Sequence, residues 1–153
     1  MPNTYAQLYV QVVFTVRGRQ NLIREEFRIE LEKYISGIIS NLHQKLYAIY
    51  CMPDHVHVLI SIKPDVRIAD IVRDIKANSS RFINEKKWLK SKFQWQEGYG
   101  VFSYSHSSLQ SVVSYILNQP AHHQTKTFRQ EYLEFLDRFE IEYNPAYLFE
   151  FYE

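Results

Sequence analysis

The pattern of apolar and polar positions predicts four strands along this chain. In the first of them every second residue from Leu8 to Val16 is apolar, and β-branched and aromatic side chains are frequent, as is typical of strands. Pro53-Asp54 is expected to form a turn that joins the second and third strands as a hairpin. The predicted strands are residues 5–16, 45–51, 55–62 and a short strand within residues 98–104.

The third predicted strand differs in chemistry between its two faces. Side chains at alternate positions of a strand project from the same face. One face is expected to pack into the core through Val56, Val58, Ile60 and Ile62. The other face carries His55 and His57, so both imidazole rings are expected to project in the same direction.

Apolar residues that recur every three or four positions predict helices between and after the strands. The expected helices begin near residues 24, 68, 108 and 128, and the last one ends near residue 139. The order βαββαβαα is typical of an α+β fold of ferredoxin-like type, in which helices pack on a mostly antiparallel four-stranded sheet. Residues 1–153 contain no repeat or linker and are expected to form one domain.

Composition excludes several classes of protein. The chain is 46% hydrophobic and 16% aromatic, which is too apolar for a disordered protein. The sequence has no apolar run near the ~18 residues that a membrane span requires, and its N-terminus does not resemble a signal peptide. Cys51 is the only cysteine and cannot form an internal disulfide, so a cytoplasmic location is expected.

Charge is unevenly distributed along the chain, although the formal net charge is only +1. The stretch from Lys76 to Lys92 is basic, and Trp88 and Trp95 lie within it or just after it. Cations that follow phosphates and aromatic rings that stack on bases are typical of single-stranded nucleic-acid binding, although such a stretch can equally be a solvated face. The stretch from Glu131 to Glu153 is acidic and is expected to face solvent or a partner subunit.

A potential nucleophile and a potential oxygen ligand lie about sixty positions after the histidines. Tyr115 and Gln119 are four residues apart in a predicted helix, so their side chains are expected to share a face. Pro120 follows directly, and proline disfavours continuation of a helix, so the helix is expected to kink or end near Gln119. Such a kink could aim the amide at a metal or could separate it from Tyr115.

The two histidines, Tyr115 and Gln119 together offer two nitrogen ligands, an amide oxygen ligand and a nucleophilic hydroxyl. This set suits metal-assisted attack on a phosphodiester. Considered singly, each member also has a plain structural interpretation. An isolated pair of histidines is more often structural than catalytic, and Tyr115 alone would be a half-buried helix residue. His122 and His123 are expected at the surface, although His122 shares the face of Tyr115.

The combination resembles the single-tyrosine transposases of the insertion-sequence 200/605 family, within the HUH endonuclease superfamily. The resemblance covers nearly the whole chain. Its most specific parts are Met52-Pro53-Asp54-His55-Val56-His57-Val58-Leu59 and Tyr115-Ile116-Leu117-Asn118-Gln119, in this order and spacing. Residues 11–19 and Trp95-Gln96-Glu97-Gly98-Tyr99-Gly100 also match. Many relatives carry histidine where this chain has Gln11, which is a departure on the first strand.

The resemblance implies a role for each matched residue. His55, His57 and Gln119 would bind a divalent cation, Mg²⁺ or Mn²⁺, and Tyr115 would attack the scissile phosphate of single-stranded DNA. The product would be a 5′-phosphotyrosine and a free 3′-hydroxyl, and a second 3′-hydroxyl would later rejoin the DNA. The implied partners are hairpin-bearing element ends and a second copy of the chain, in a homodimer with shared active sites.

Two other functions remain open from the residues alone. A metal-dependent phosphodiester hydrolase could use the histidine pair without a covalent intermediate. A non-catalytic protein could bind single-stranded nucleic acid through the basic stretch. The candidates for DNA contact are cationic and aromatic side chains of the first turn and of the basic region, namely Arg17, Arg19, Lys76, Arg81, Lys86, Lys87, Trp88, Lys90 and Trp95.

Overall fold

The computed structural model describes residues 3–152 of the chain. The strands are β1 (Tyr9–Thr15), β2 (Lys45–Cys51), β3 (His55–Ser61) and β4 (Gly100–Tyr104). The helices are α1 (Glu25–Asn41), α2 (Ile68–Lys86), α3 (Leu109–Leu117), α4 (Gln119–His122) and α5 (Phe128–Arg138). Short 3₁₀ turns occupy His106–Ser108 and Pro145–Tyr147. None of the helices within residues 3–152 has both the length and the hydropathy of a membrane-spanning segment.

The four strands form one antiparallel sheet in the order β2-β3-β1-β4. This α+β arrangement confirms the predicted fold class. The first strand is shorter than predicted because its pairing with β3 begins at Tyr9, opposite Ser61. Leu8, which was predicted to lie within the strand, precedes this pairing and is 42% exposed.

Helices cover both faces of the sheet. On one face α1 and α2 enclose the larger core, in which Phe14 and Val58 from the sheet pack with Ile35 and Ile75 from the helices. On the other face α5 packs Phe128, Tyr132, Phe135 and Leu136 against Val13 of β1 and Phe102 of β4. Helix α3 packs beside it, through Val112 and Ile116 against Ala48 and Leu59. The histidines lie on this second face, opposite Thr15 and Val13 in the pairing of β3 with β1.

The predicted interruption at Pro120 is present. Helix α3 ends at Leu117, Asn118 follows as its C-cap, and the four-residue helix α4 begins at Gln119 with Pro120 in its first turn. Proline is tolerated there because the first turn of a helix leaves backbone N–H groups without internal partners. Tyr115 and Gln119 are therefore on two consecutive helices, and the simple argument from one unbroken helix does not apply to them.

Candidate metal and nucleophile site

The two histidines of β3 have buried side chains whose Nδ1 atoms both lie beside an oxygen acceptor. Nδ1 of His55 is 2.7 Å from Oδ1 of Asp54, and Nδ1 of His57 is 2.6 Å from Oε1 of Gln11. A carboxylate or amide oxygen accepts a hydrogen bond, so each Nδ1 donates. In the neutral rings the Nε2 atoms then carry the lone pairs, and both face the same interior point, as metal-binding histidines require.

A carboxylate that was predicted to face solvent or a partner subunit lies at that interior point. Glu131 of α5 is only 2% exposed. Its Oε1 is 3.0 Å from Nε2 of His57 and 3.5 Å from Nε2 of His55. The prediction that the acidic stretch faces solvent or a partner subunit was thus wrong for Glu131, because the helix turns this residue toward the sheet. Glu134, Asp137, Glu140, Glu142 and Glu150 are exposed as predicted, and Glu153 lies outside the described residues.

Tyr115 and Gln119 reach the same carboxylate. The hydroxyl of Tyr115 donates to Oε2 of Glu131, and Nε2 of Gln119 donates to the same oxygen over 2.9 Å. The amide oxygen of Gln119 lies 3.2 Å from Nε2 of His55. All four residues singled out from the sequence therefore lie in one site, and Tyr115 is beside the histidines of its own chain.

His123 is a further member of this site and was wrongly expected at the surface. Its Nε2 is 2.9 Å from Oε1 of Gln119 and 3.2 Å from Oε1 of Glu131, while its Nδ1 donates to the carbonyl of Lys126 over 2.8 Å. His122 stacks on Tyr115 with ring centroids 4.3 Å apart, as their shared face suggested.

The sequence contains signals that could have placed His123 and Glu131 in the site. His123 continues the four-residue spacing that begins with Tyr115 and Gln119. Glu131 lies three positions after Phe128 and four before Phe135, so it interrupts the apolar stripe of α5. A charge in an apolar stripe indicates either a distorted helix or a buried carboxylate with partners.

Burial and charge shift the pKa values of several groups in this cluster. Burial alone would lower the pKa of His55, but hydrogen bonds and charges of Asp54 and Glu131 outweigh it and raise the pKa to about 9. Burial lowers the pKa of His57, although Glu131 opposes this. Burial would raise the pKa of the Glu131 carboxyl, but the positive charge and the hydrogen bonds that the surrounding histidines supply together hold it well below its usual range. Burial, reinforced by the charge of Glu131, raises the pKa of Tyr115.

The donor atoms fit a divalent cation. One atom each from His55, His57 and Glu131 lie within 4.8 Å of one another, and all three residues are buried. Mixed imidazole and carboxylate ligands suit Mn²⁺ and related metals, and Mg²⁺ accepts the oxygen donors. A cleft of about 520 Å³ beside this cluster is lined by Asp54, His123 and Lys126 among others.

The residues predicted to contact DNA lie mainly on the α2 side of the sheet. Arg17, Lys76, Arg81 and Trp95 line a groove of about 880 Å³. Lys76 is part-buried, its Nζ donates to the carbonyls of Gln96 and Gly98, and burial lowers its pKa to about 8. Arg19 is exposed, as are Lys86, Lys87 and Lys90 around the end of α2.

The two tryptophans of this region differ in accessibility. The indole of Trp95 is 8% exposed, packs edge-on against Phe14 and donates to Oγ of Ser79 over 3.0 Å. Its predicted role as a stacking surface for bases is therefore wrong, because the ring belongs to the core. Trp88 is partly exposed and stacks on Phe27, with ring centroids 4.4 Å apart.

Comparison with known proteins identifies relatives among transposases. The family model described as "Transposase IS200 like" matches residues 4–119. The ISDra2 transposase TnpA of Deinococcus radiodurans is 26% identical over 120 residues, which cover 74% of this chain and 84% of that protein.

Two solved structures share the fold. A putative transposase from Deinococcus radiodurans R1 superposes with a TM-score of 0.63 at 24% identity, covering 76% of this chain and 94% of that one. A REP-associated tyrosine transposase bound to a REP hairpin gives a TM-score of 0.60 at 18% identity, covering 79% and 72%. The family match ends at Gln119, so His123 and Glu131 lie beyond it. Because the match spans well over half of the chain, this protein belongs to the IS200-like transposase family.

Proposed function

We propose that this transposase cleaves and rejoins single-stranded DNA through a 5′-phosphotyrosine on Tyr115. The observation that carries the proposal is the hydroxyl of Tyr115 beside the histidine pair and Gln119 in one largely buried site. In cleavage the phenolic oxygen bonds to phosphorus, the bond from phosphorus to the 3′ oxygen breaks, and that oxygen takes a proton. In rejoining, a 3′-hydroxyl attacks the same phosphorus and the phenolic oxygen leaves.

The buried environment explains why Tyr115 needs assistance. Burial and the charge of Glu131 disfavour the phenolate, so the hydroxyl is protonated and held in place at neutral pH. A divalent cation, Mg²⁺ or Mn²⁺, would be held by His55, His57 and Gln119 together with Glu131, and it would polarise the phosphate and stabilise the charge that develops there. The hydrogen bonds of Asp54 and Gln11 keep the Nε2 atoms turned toward the site.

Substrate recognition is proposed from surface chemistry and from one relative. The REP-associated relative was solved with a REP hairpin, so we propose that this protein also binds hairpin-bearing single-stranded DNA. The exposed cations Arg17, Arg19, Arg81, Lys86, Lys87 and Lys90, with Lys76 and the ring of Trp88, would contact the backbone and unpaired bases.

Single-stranded oligonucleotides tiled from the DNA flanking the gene test the chemistry on a denaturing gel with Mg²⁺ or Mn²⁺. We expect a slow protein–DNA band that disappears with chelator and in Tyr115→Phe but persists in Tyr143→Phe, which alters an exposed tyrosine. Cleavage without this band would replace the proposal with a metal-dependent hydrolase. Tight binding of hairpin oligonucleotides that contain the element ends, without cleavage or band, would replace it with a non-catalytic binding protein.

A homodimer is proposed because one tyrosine holds one covalent DNA end, and exchange of two ends needs two tyrosines. Sharing of sites between subunits can be tested by mixing Tyr115→Phe with His57→Ala. Recovery of the covalent band in the mixture would support shared sites. Its absence, with dimers demonstrated by light scattering, would support sites that use the tyrosine and histidines of one chain.

A further inference from the structure

Glu131 lies between the two halves of the proposed catalytic centre. Its Oε1 faces the imidazoles, 3.0 Å from Nε2 of His57 and 3.2 Å from Nε2 of His123. Its Oε2 accepts hydrogen bonds from the hydroxyl of Tyr115 and the amide of Gln119. One carboxylate therefore contacts the proposed metal ligands through one oxygen and the proposed nucleophile through the other.

The packing of α5 does not account for a charge at this position. The same face of the helix buries Phe128, Tyr132 and Phe135 against the sheet, and an apolar residue at 131 would continue that contact. Burial of a carboxylate is costly unless it is paired and hydrogen-bonded. The partners that satisfy Glu131 are residues of the proposed centre, which points to a role in that centre.

The position of Glu131 in the chain is also informative. The family match ends at Gln119, whereas Glu131 lies twelve positions later, on a helix outside the matched segment. The carboxylate is thus supplied by the C-terminal part of this chain. The residues it joins, His57 and Tyr115, both belong to the matched segment.

We propose that Glu131 binds the divalent cation and also positions the hydroxyl of Tyr115, so that it couples the metal ligands to the proposed nucleophile. Its Oε1 completes the ligand set for the divalent cation with His55, His57 and Gln119, and its Oε2 holds the hydroxyl of Tyr115 beside that set. This inference rests on the proposed function, because it assigns the metal and the nucleophile to one reaction.

Metal affinity measured without DNA tests the first half of the proposal. Calorimetric titration with Mn²⁺ would compare the wild type with Glu131→Gln and with Glu134→Gln. Glu134 lies on the same helix but is exposed and pairs with Lys126, so it is a matched control. We expect Glu131→Gln to weaken Mn²⁺ binding at least about tenfold, as loss of supporting groups at metal sites does. Glu134→Gln should remain within about twofold of the wild type. Unchanged or tighter binding in Glu131→Gln would overturn the proposal, the latter showing that the carboxylate obstructs the site.

A double-mutant cycle tests the coupling to Tyr115 with the same measurement. Tyr115→Phe should change Mn²⁺ affinity at least about twofold when Glu131 is present, which is the lower end for residues in contact, and should change it less when residue 131 is glutamine. Additive effects would overturn the coupling. Glu131→Asp keeps the charge on a shorter side chain and provides a second variant, for which weaker Mn²⁺ binding and loss of the coupling are expected.

Failure of this inference is distinguishable from failure of the proposed function. A wild-type protein that forms no covalent DNA band with its own flanking sequences contradicts the function, whatever the metal titrations give. A wild-type protein that forms the band while Glu131→Gln binds Mn²⁺ normally contradicts only the role of Glu131.

Discussion

Removal of the charge on Asp54 is expected to make His55 easier to deprotonate. Oδ1 of Asp54 accepts a hydrogen bond from Nδ1 of His55 over 2.7 Å, and the imidazole is fully buried. In Asp54→Asn the amide oxygen can still accept this hydrogen bond, so the tautomer of the ring is preserved. The substitution therefore removes the negative charge and leaves the geometry of the ring in place.

The size of the expected change in the pKa of His55 follows from the type of hydrogen bond that it makes. A hydrogen bond to a charged group contributes about 1.5–3 kcal/mol to stability, and a neutral one contributes about 0.5–1.5 kcal/mol. The difference is about 1–1.5 kcal/mol, and one pH unit corresponds to about 1.4 kcal/mol. The pKa of His55, which is raised to about 9 in the metal-free protein, should thus fall by about one pH unit in Asp54→Asn.

The change in the pKa of His55 must also alter how the free energy of unfolding depends on pH. The folded pKa of His55 lies above its ordinary value of 6.5, so the stability that its protonation contributes is fully present below pH 6.5 and is lost as the pH rises through about 9. Asp54→Asn should therefore destabilise the metal-free protein by about 1–1.5 kcal/mol at about pH 6, with the difference shrinking toward zero at about pH 10.

Two measurements check this prediction with chelator present. NMR titration of the imidazole Cε1–H signals gives the pKa of His55, and urea unfolding at several pH values gives the stability difference. Asp65→Asn, which removes an exposed carboxylate elsewhere, is the control and should alter neither quantity. A stability difference that does not vary with pH, or a pKa of His55 that is equal in wild type and Asp54→Asn, would refute the reasoning.

Three further predictions concern metal affinity and the free energy of unfolding. Gln11→Leu should weaken Mn²⁺ binding about 10–100-fold in calorimetry, because Nδ1 of His57 loses its acceptor; affinity equal to the wild type would contradict this. Gly100→Ala should destabilise the fold by about 1–3 kcal/mol in urea unfolding, because the new Cβ would lie 2.7 Å from the hydroxyl of Tyr132. Tyr132→Phe should recover part of that loss, and no recovery would mean that another contact is responsible. Mn²⁺ at 100 times its dissociation constant should raise the free energy of unfolding by about 2.7 kcal/mol, and chelator should reverse it; an unchanged melting curve would exclude binding to the folded state.

Strong local patterns made the sheet and the first half of the site predictable. Alternation in β3 placed His55 and His57 on one face, and the structure has them there. Pro120 correctly indicated the end of α3 near Gln119. Such features depend on near neighbours in the chain, which sequence periodicity reports directly.

The remaining part of the site depends on contacts between distant segments. Glu131 begins an acidic stretch of the sequence, and the packing of α5 on the sheet turns it inward, onto histidines more than seventy positions earlier. Trp95 was assigned to a binding surface because its sequence neighbours are basic, yet its indole is held in the core by Phe14 and Ser79. In both cases the tertiary partner, which local sequence does not contain, decides whether the side chain is exposed.

The residues of the site come from distant parts of the chain, and this determines when during folding the site can form. Gln11 and Glu131, which contact the same imidazole, are 120 positions apart. Closing such a long loop costs entropy that early folding steps do not recover, so contacts of this kind form late. We expect the centre to assemble only when the last helix has docked, so that nascent or partly folded chains would neither take up metal nor cut DNA.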